Sequence, residues 1–269
     1  SFAFMIKDHL STEFIEHREK ELLQYFLTQT ASLKNLQIMG NTQCERLPIL
    51  SFTVSHTSSS TQETKLLHHN YIAALMNDLF GIQGRGGCSC AGMYGVEVLA
   101  ISQEQIDHGL QQMRLSNELA RPGYYRINLH YTLTDAEKVY IVNAVKFVVE
   151  NGWKLLPLYD VDPGEGVYVH RDMKRKQQLS RKEQLRSLLD ISFDDNNGTM
   201  RWKQKHQKID GASLQKNLPQ YIKMADAALL NLTKNLPKSM QEFATEKEIN
   251  DNEAWYWLPS EIYQEMMKK

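Results

Sequence analysis

Fourteen consecutive residues, Ile82–Gly95, contain five glycines and constrain the fold more than any other part of this 269-residue chain. Glycine has no Cβ atom, so it adopts positive φ angles and lets the main chain approach a ligand closely. We therefore expect a loop here. The helix before it should end at Gly81, since glycine is typical of helix C-caps. After the loop, Val96–Ile101 has the apolar character of a strand.

Elsewhere the apolar residues recur with the periods of both helices and strands. Leu50, Phe52 and Val54 alternate with polar residues, as in a half-buried strand. Ser102 and Thr134 each open a capping box, which marks the start of a helix. These patterns predict an α+β (α/β-like) fold, with helices that cover a short, mainly antiparallel sheet and a helical C-terminal appendage. The predicted helices are Thr12–Leu33, Lys65–Phe80, Ser102–Leu119, Thr134–Gly152, Arg171–Leu189 and Leu214–Leu236. The predicted strands are Leu36–Met39, Leu47–Ser55, Val96–Ile101 and Tyr125–Tyr131. In the helix Thr134–Gly152 the buried residues should be Val139, Val142, Val145 and Val149, with Phe147 nearby.

The composition excludes several classes of protein. The chain has 31 basic and 32 acidic residues, a net charge of −1, which argues against a dedicated nucleic-acid binder. A hydrophobic content of 42% is ordinary for a globular protein and argues against disorder. Three cysteines cannot form a disulfide framework, and free thiols fit a reducing compartment, so we expect a cytoplasmic protein. No apolar run approaches the ~20 residues of a membrane helix, and no signal peptide is evident.

Three segments taken together resemble a known family. They are LPILSFTV, HHNYIAALMNDLFGIQGRGGCSCAGMYG and RPGYYRINLHYTLTDAEKVYIVNAVKFVVENGW. In this order they are similar to the small C-terminal domain of class-V aminotransferase-fold enzymes, which use pyridoxal phosphate and include cysteine desulfurases and selenocysteine lyases. The resemblance implies a helix between domains over residues 1–35, the small domain over 36–153 and a helical extension over 154–269.

The resemblance also implies roles for three residues. Arg126 matches the family arginine that binds the substrate α-carboxylate, and a guanidinium offers the planar fork that such a group needs. Arg85 matches a loop arginine that faces the active site and binds substrate or neutralises the cofactor. Cys90 matches the desulfurase cysteine whose thiolate attacks the sulfur of a cofactor-bound substrate. Each has a structural alternative: an ion pair for either arginine, and tight packing beside Cys88 for Cys90.

The family's Schiff-base lysine segment does not occur in this sequence. The residues that cup the cofactor phosphate and pair with its pyridine nitrogen are missing too. We therefore expect a C-terminal part of a longer enzyme, with an amino-acid substrate, a separate N-terminal large domain and a homodimeric parent. The chain alone should bind no pyridoxal phosphate and show no turnover. Whether the parent is a desulfurase, another lyase or a transaminase stays open.

A different class of function is an interaction module that keeps the fold without catalysis. Its recognition element would be the basic helix that starts at Arg171, which could bind an acidic partner. His68 and His69 precede the glycine loop, and we interpret them as caps or surface groups. We expect no metal site, because the Cys-x-Cys spacing of Cys88 and Cys90 is not that of a zinc knuckle. The basic residues of the helix are Arg171, Lys174, Arg175, Lys176, Arg181, Lys182 and Arg186.

Overall fold

A five-stranded antiparallel sheet organises the chain. The computed structural model describes residues 2–88, 92–172, 191–193, 200–202, 211–248 and 254–268. Strand β2 (Ile49–Thr57) lies in the middle, with β1 along one edge. Its other edge is shared: β5 pairs with it at Phe52, and β3 pairs with it at Val54. Strand β4 pairs with the outer edge of β5. The strands are β1 (Leu36–Ile38), β2 (Ile49–Thr57), β3 (Thr64–Leu67), β4 (Arg85–Gly87) and β5 (Tyr124–Asn128).

Helices pack against this sheet, and the chain is therefore α+β, as the sequence predicts. Both capping boxes are formed: Ser102 exchanges hydrogen bonds with Gln105, and Thr134 does so with Glu137. Gly81 ends its helix in the left-handed conformation, with φ of 64°. The helices are α1 (Phe2–Leu10), α2 (Thr12–Thr30), α3 (His69–Phe80), α4 (Gly92–Val98), α5 (Gln103–Arg114), α6 (Asp135–Leu155), α7 (Gly211–Leu230), α8 (Leu232–Asn235) and α9 (Pro259–Met267).

One hydrophobic core lies between α2, α3, α6 and the buried face of the sheet. Leu50, Phe52 and Val54 of β2 point into it, as their alternation predicts. Tyr71 and Leu75 on α3 are fully buried in the same core. The core therefore covers one face of β2 and β5, and the residues of the opposite face do not take part in it.

The described part of the chain after residue 153 shares this core. It contains α7–α9 and also two hairpins, β6 (Tyr159–Asp162) with β7 (Val167–His170), and β8 (Ile191–Phe193) with β9 (Met200–Trp202). Leu66 of β3 donates its N–H to Trp255 O at 3.1 Å and accepts from Trp257 N–H at 3.0 Å. The C-terminal residues thus extend the edge of the main sheet at β3.

Two predicted elements differ in kind from those observed. Lys65–Leu67, predicted as the start of a helix, belongs to strand β3, because these residues pair with β2 and the helix begins only at His69. Val96–Ile101, predicted as a strand, begins inside helix α4, which ends at Val98, and the helical hydrogen bonding continues as Leu99 N–H donates to Gly95 O at 3.1 Å. β-branched residues favour strands only where a partner strand is available, and none of the described strands pairs with this segment.

One residue of the predicted buried stripe of α6 is on the wrong face. Val142, Val145 and Val149 are buried, whereas Val139 is 41% exposed. The buried face is centred near Val148, and at 3.6 residues per turn Val139 falls on the opposite side of the helix. Several boundaries also differ. The helix predicted to end at residue 119 ends as α5 at Arg114, and the strand predicted to reach residue 131 ends as β5 at Asn128. The helix predicted over Leu214–Leu236 is divided into α7 and α8.

Candidate functional site

Arg85 and Arg126 lie directly opposite each other on the paired strands β4 and β5. Opposed residues of an antiparallel pair project from the same face, with Cβ atoms about 4.5–5.5 Å apart. Ser51 of β2 faces Arg126 from the other side. A row of three polar residues therefore crosses the sheet, and it contains both arginines that the family resemblance singles out.

Two glycines explain how β4 holds Arg85 in this row. A Cβ atom at Gly84 would lie 2.3 Å from the Tyr125 ring, and one at Gly86 would lie 2.4 Å from Asn70 Oδ1. Alternate residues of a strand face opposite sides, so the Cβ positions of these glycines face Tyr125 and the start of α3, and Arg85 faces away from them. Both positions need glycine because neighbouring side chains leave no room. The alternation in Gly84-Arg85-Gly86 is the sequence signal for this short strand. The prediction of a loop over Ile82–Gly95 did not take it into account.

The two arginines line a cleft at the edge of the sheet formed by β4 and β5. Its volume is about 520 Å³, within the range of about 300–1,000 Å³ that is usual for small-molecule sites. Arg85 is exposed and Arg126 is half-buried. None of the described lining residues is acidic. These residues are Ile49, Gln83, Gly84, Arg85, Arg126, Ile127 and Asn128.

The charge of this cleft is not balanced within the part of the chain that the structure describes. There, neither Arg85 nor Arg126 makes a hydrogen bond or an ion pair through its side chain. By contrast, Arg18, Arg121 and Arg171 each pair with a carboxylate. Like charges directly opposite each other destabilise a sheet, and a bound anion would remove that cost. The arrangement is therefore suited to binding an anion. The alternative interpretation of the two arginines as ion-pair partners has no support among the described residues.

Cys90 lies outside the described residues, so its position relative to the arginines stays a prediction. Cys88, which follows β4 directly, is partly buried and forms no disulfide bond. It lies near Gly95 of α4, where an added Cβ would be 3.5 Å from Cys88 Cβ. The interpretation of Cys88 as a packing residue fits this contact.

His68 and His69 are buried and structural, which makes the prediction of surface groups wrong. His68 Nδ1 accepts the N–H of Asn70 at 3.2 Å and so caps α3, as the alternative prediction had it. Burial holds the pKa of His68 well below 6.5, and the neighbouring His69 lowers it further. Burial also lowers the pKa of His69. Both rings are therefore neutral at pH 7. Among the described residues, no three His, Cys, Asp or Glu side chains gather as a metal site.

A second and larger cavity of about 570 Å³ lies between α5 and the C-terminal segment. Sequence patterns gave no sign of it, since its walls come from distant parts of the chain. Trp255 forms part of an apolar wall, and Lys65 lies on its polar side. The Lys65 ammonium is already paired, with Glu261 Oε1 at 2.9 Å and Glu63 Oε1 at 3.4 Å. This cavity therefore offers weaker recognition of an anion than the cleft of the two arginines.

The residues of the arginine cleft do not fit pyridoxal phosphate itself. The described lining contains no lysine to form a Schiff base and no aspartate to pair with the pyridine nitrogen. What the lining does fit is a carboxylate or another small anion. The chemistry of a cofactor would therefore have to be supported by groups outside this cleft.

The basic helix of the interaction-module hypothesis lies outside the described residues from position 173 to 190. Its first member, Arg171, is described and has an internal role. Its guanidinium donates to the carbonyls of Pro157, Tyr159 and Glu242 and pairs with Asp160 at 2.6 Å. Arg171 therefore holds the β6 strand in place, and its assignment to a partner-binding face is wrong.

Comparison with known proteins adds no assignment to this geometry. The sequence matches no protein-family model, and no curated protein gives a significant match. Across the described helices, none combines the length and apolar character needed to cross a bilayer.

Proposed function

We propose that this chain supplies the carboxylate-binding part of an amino-acid site in a pyridoxal-phosphate-dependent enzyme of the class-V aminotransferase type. The observation that carries the proposal is the pair Arg85 and Arg126 in a cleft whose described lining has no acidic residue. Arg126 would hold the substrate carboxylate through two parallel hydrogen bonds. The Schiff-base lysine and the cofactor would come from a large domain or another chain in a cytoplasmic homodimer.

The chain alone should bind carboxylates weakly and catalyse nothing. A hydrogen bond to a charged group contributes about 1.5–3 kcal/mol. This is less than the ~4 kcal/mol of a millimolar complex, so the affinity for a simple carboxylate should be millimolar or weaker. Incubation with pyridoxal phosphate followed by dialysis should leave no stoichiometric yellow colour. A stoichiometric yellow sample would contradict the proposed division of the site.

Carboxylate binding is tested by NMR titration of the ¹⁵N-labelled chain with propanoate, with the arginine Nε–H signals as the readout. The affinity should fall at least tenfold in Arg126→Gln, because the fork that meets the carboxylate is lost. Arg114→Gln is the matched control, since Arg114 is an exposed arginine at the end of α5, away from the cleft. Equal affinity in Arg126→Gln and the wild type would refute the proposal.

Desulfurase and transaminase activities are separated by two substitutions in the complete enzyme. Loss of activity in both Arg126→Ala and Cys90→Ser would favour sulfur transfer with Cys90 as nucleophile. Loss in Arg126→Ala alone would favour transamination or another reaction that needs no thiol.

A further inference from the structure

The cleft has two guanidinium groups, whereas binding one carboxylate requires only one. A single guanidinium fork satisfies a carboxylate with two hydrogen bonds. Here two forks stand on opposed positions of neighbouring strands, and Arg85 remains available after Arg126 has bound its anion. A ligand with one negative charge would leave one of the two positive charges unbalanced. The neutral amides of Gln83 and Asn128 in the same lining do not change that charge.

We infer that the cleft binds a ligand with two acidic groups, of the dicarboxylic amino-acid class, with one group on Arg126 and the other on Arg85. This inference rests on the proposed carboxylate site. A volume of about 520 Å³ leaves room for a ligand larger than a monocarboxylate. Because Arg85 is exposed and Arg126 half-buried, the α-carboxylate lies on the inner arginine and the second acidic group lies nearer solvent.

The glycines on either side of Arg85 strengthen the inference. Gly84 and Gly86 lie against Tyr125 and Asn70 so closely that β4 cannot shift without a clash. The register of β4 and β5 therefore keeps Arg85 and Arg126 on opposed positions of the same face. Such a fixed pair should discriminate between ligands by the number of their acidic groups.

The test compares succinate, propanoate and inorganic phosphate as ligands of the full chain at matched ionic strength. Succinate should bind at least tenfold more tightly than propanoate to the wild type. In Arg85→Gln the ratio should fall below about threefold, because only one guanidinium remains. Arg85→Lys keeps the charge but loses the fork and should give an intermediate ratio. Arg114→Gln should keep the wild-type ratio.

The outcomes separate this inference from the proposed function. A ratio below about threefold in the wild type, with propanoate binding still lost in Arg126→Gln, overturns the inference and leaves the proposed function standing. Phosphate binding tenfold more tightly than succinate also overturns it, in favour of a single dianionic group. Affinities unchanged in Arg126→Gln, or no binding of any of the three ligands, overturn both.

Discussion

Glu246 is a buried carboxyl group whose ionisation should set how stability depends on pH. The residue lies in the 3₁₀ segment Met240–Glu248 and is only 7% exposed. Its Oε2 accepts the N–H of Ser260 in the first turn of α9 at 3.1 Å. Its Oε1 has no hydrogen-bond partner among the described residues. Burial raises the pKa of Glu246 from 4.5 to about 7, although the Ser260 N–H and the charge of Arg171 act in the other direction.

The sign and size of the effect follow from this pKa. Between about pH 4.5 and 7 the unfolded chain loses this proton while the folded chain retains it, so the free energy of unfolding falls as pH rises. A rise from 4.5 to about 7 corresponds to at most about 3 kcal/mol. Glutamine resembles the protonated acid and carries no charge. Glu246→Gln should therefore match the wild type near pH 4.5 and exceed its stability by up to about 3 kcal/mol at pH 8.

Urea unfolding followed by tryptophan fluorescence, at intervals from about pH 5 to 8.5, measures this difference. The lowered pKa values of His68 and His69 make both proteins less stable in acid, and this contribution cancels between variant and wild type. Glu165→Gln, at an exposed position of the β6–β7 turn, is the control and should show no such trend. A stability difference that does not grow with pH would refute the argument from burial.

Three further predictions follow from the sheet and its packing. Gly84→Ala should lower the free energy of unfolding by about 1–3 kcal/mol, because the new methyl group overlaps the Tyr125 ring. Gly92→Ala is the control, since Gly92 has open space around it, and it should be neutral or slightly stabilising. Thermal unfolding compares the two variants. Tyr71→Phe should lower the free energy of unfolding by about 1 kcal/mol, since the buried hydroxyl donates to a carbonyl of α6 at 2.7 Å. Chemical denaturation measures the change, and no loss would mean that this hydrogen bond does not contribute to stability. Arg85→Gln should slightly raise the melting temperature at low salt, and high salt should abolish the gain; a lower melting temperature would contradict repulsion between the cleft arginines.

Local sequence signals predicted the parts of the fold that local interactions determine. The capping boxes at Ser102 and Thr134 and the C-cap at Gly81 are present, because each requires only residues within one turn. The alternation in β2 correctly predicted its buried face. The fold class followed from these elements, since helices with one apolar face must cover a sheet.

The parts that could not be predicted depend on contacts between distant residues. The segment Lys65–Leu67 fits a helix or a strand equally well by spacing, and its pairing with β2 decides the outcome. Trp257 is buried and Trp255 half-buried beside Leu66, with which both pair although it lies about 190 residues earlier in the chain. For the site, Arg126 and Arg85 were identified as candidates by resemblance, but only the strand register shows that they are opposed.

The register of β4 and β5 connects the stability of this protein with its candidate site. Tyr125 and Arg126 are consecutive on β5, and one faces the core while the other faces the cleft. A shift of one residue would move every side chain of a strand to the other face. Gly84 and Gly86 prevent such a shift of β4, because Arg85 cannot occupy the space against the core that they leave to Tyr125 and Asn70. Substitutions at these glycines should therefore lose anion binding and stability together, whereas substitutions at the two arginines should affect mainly binding.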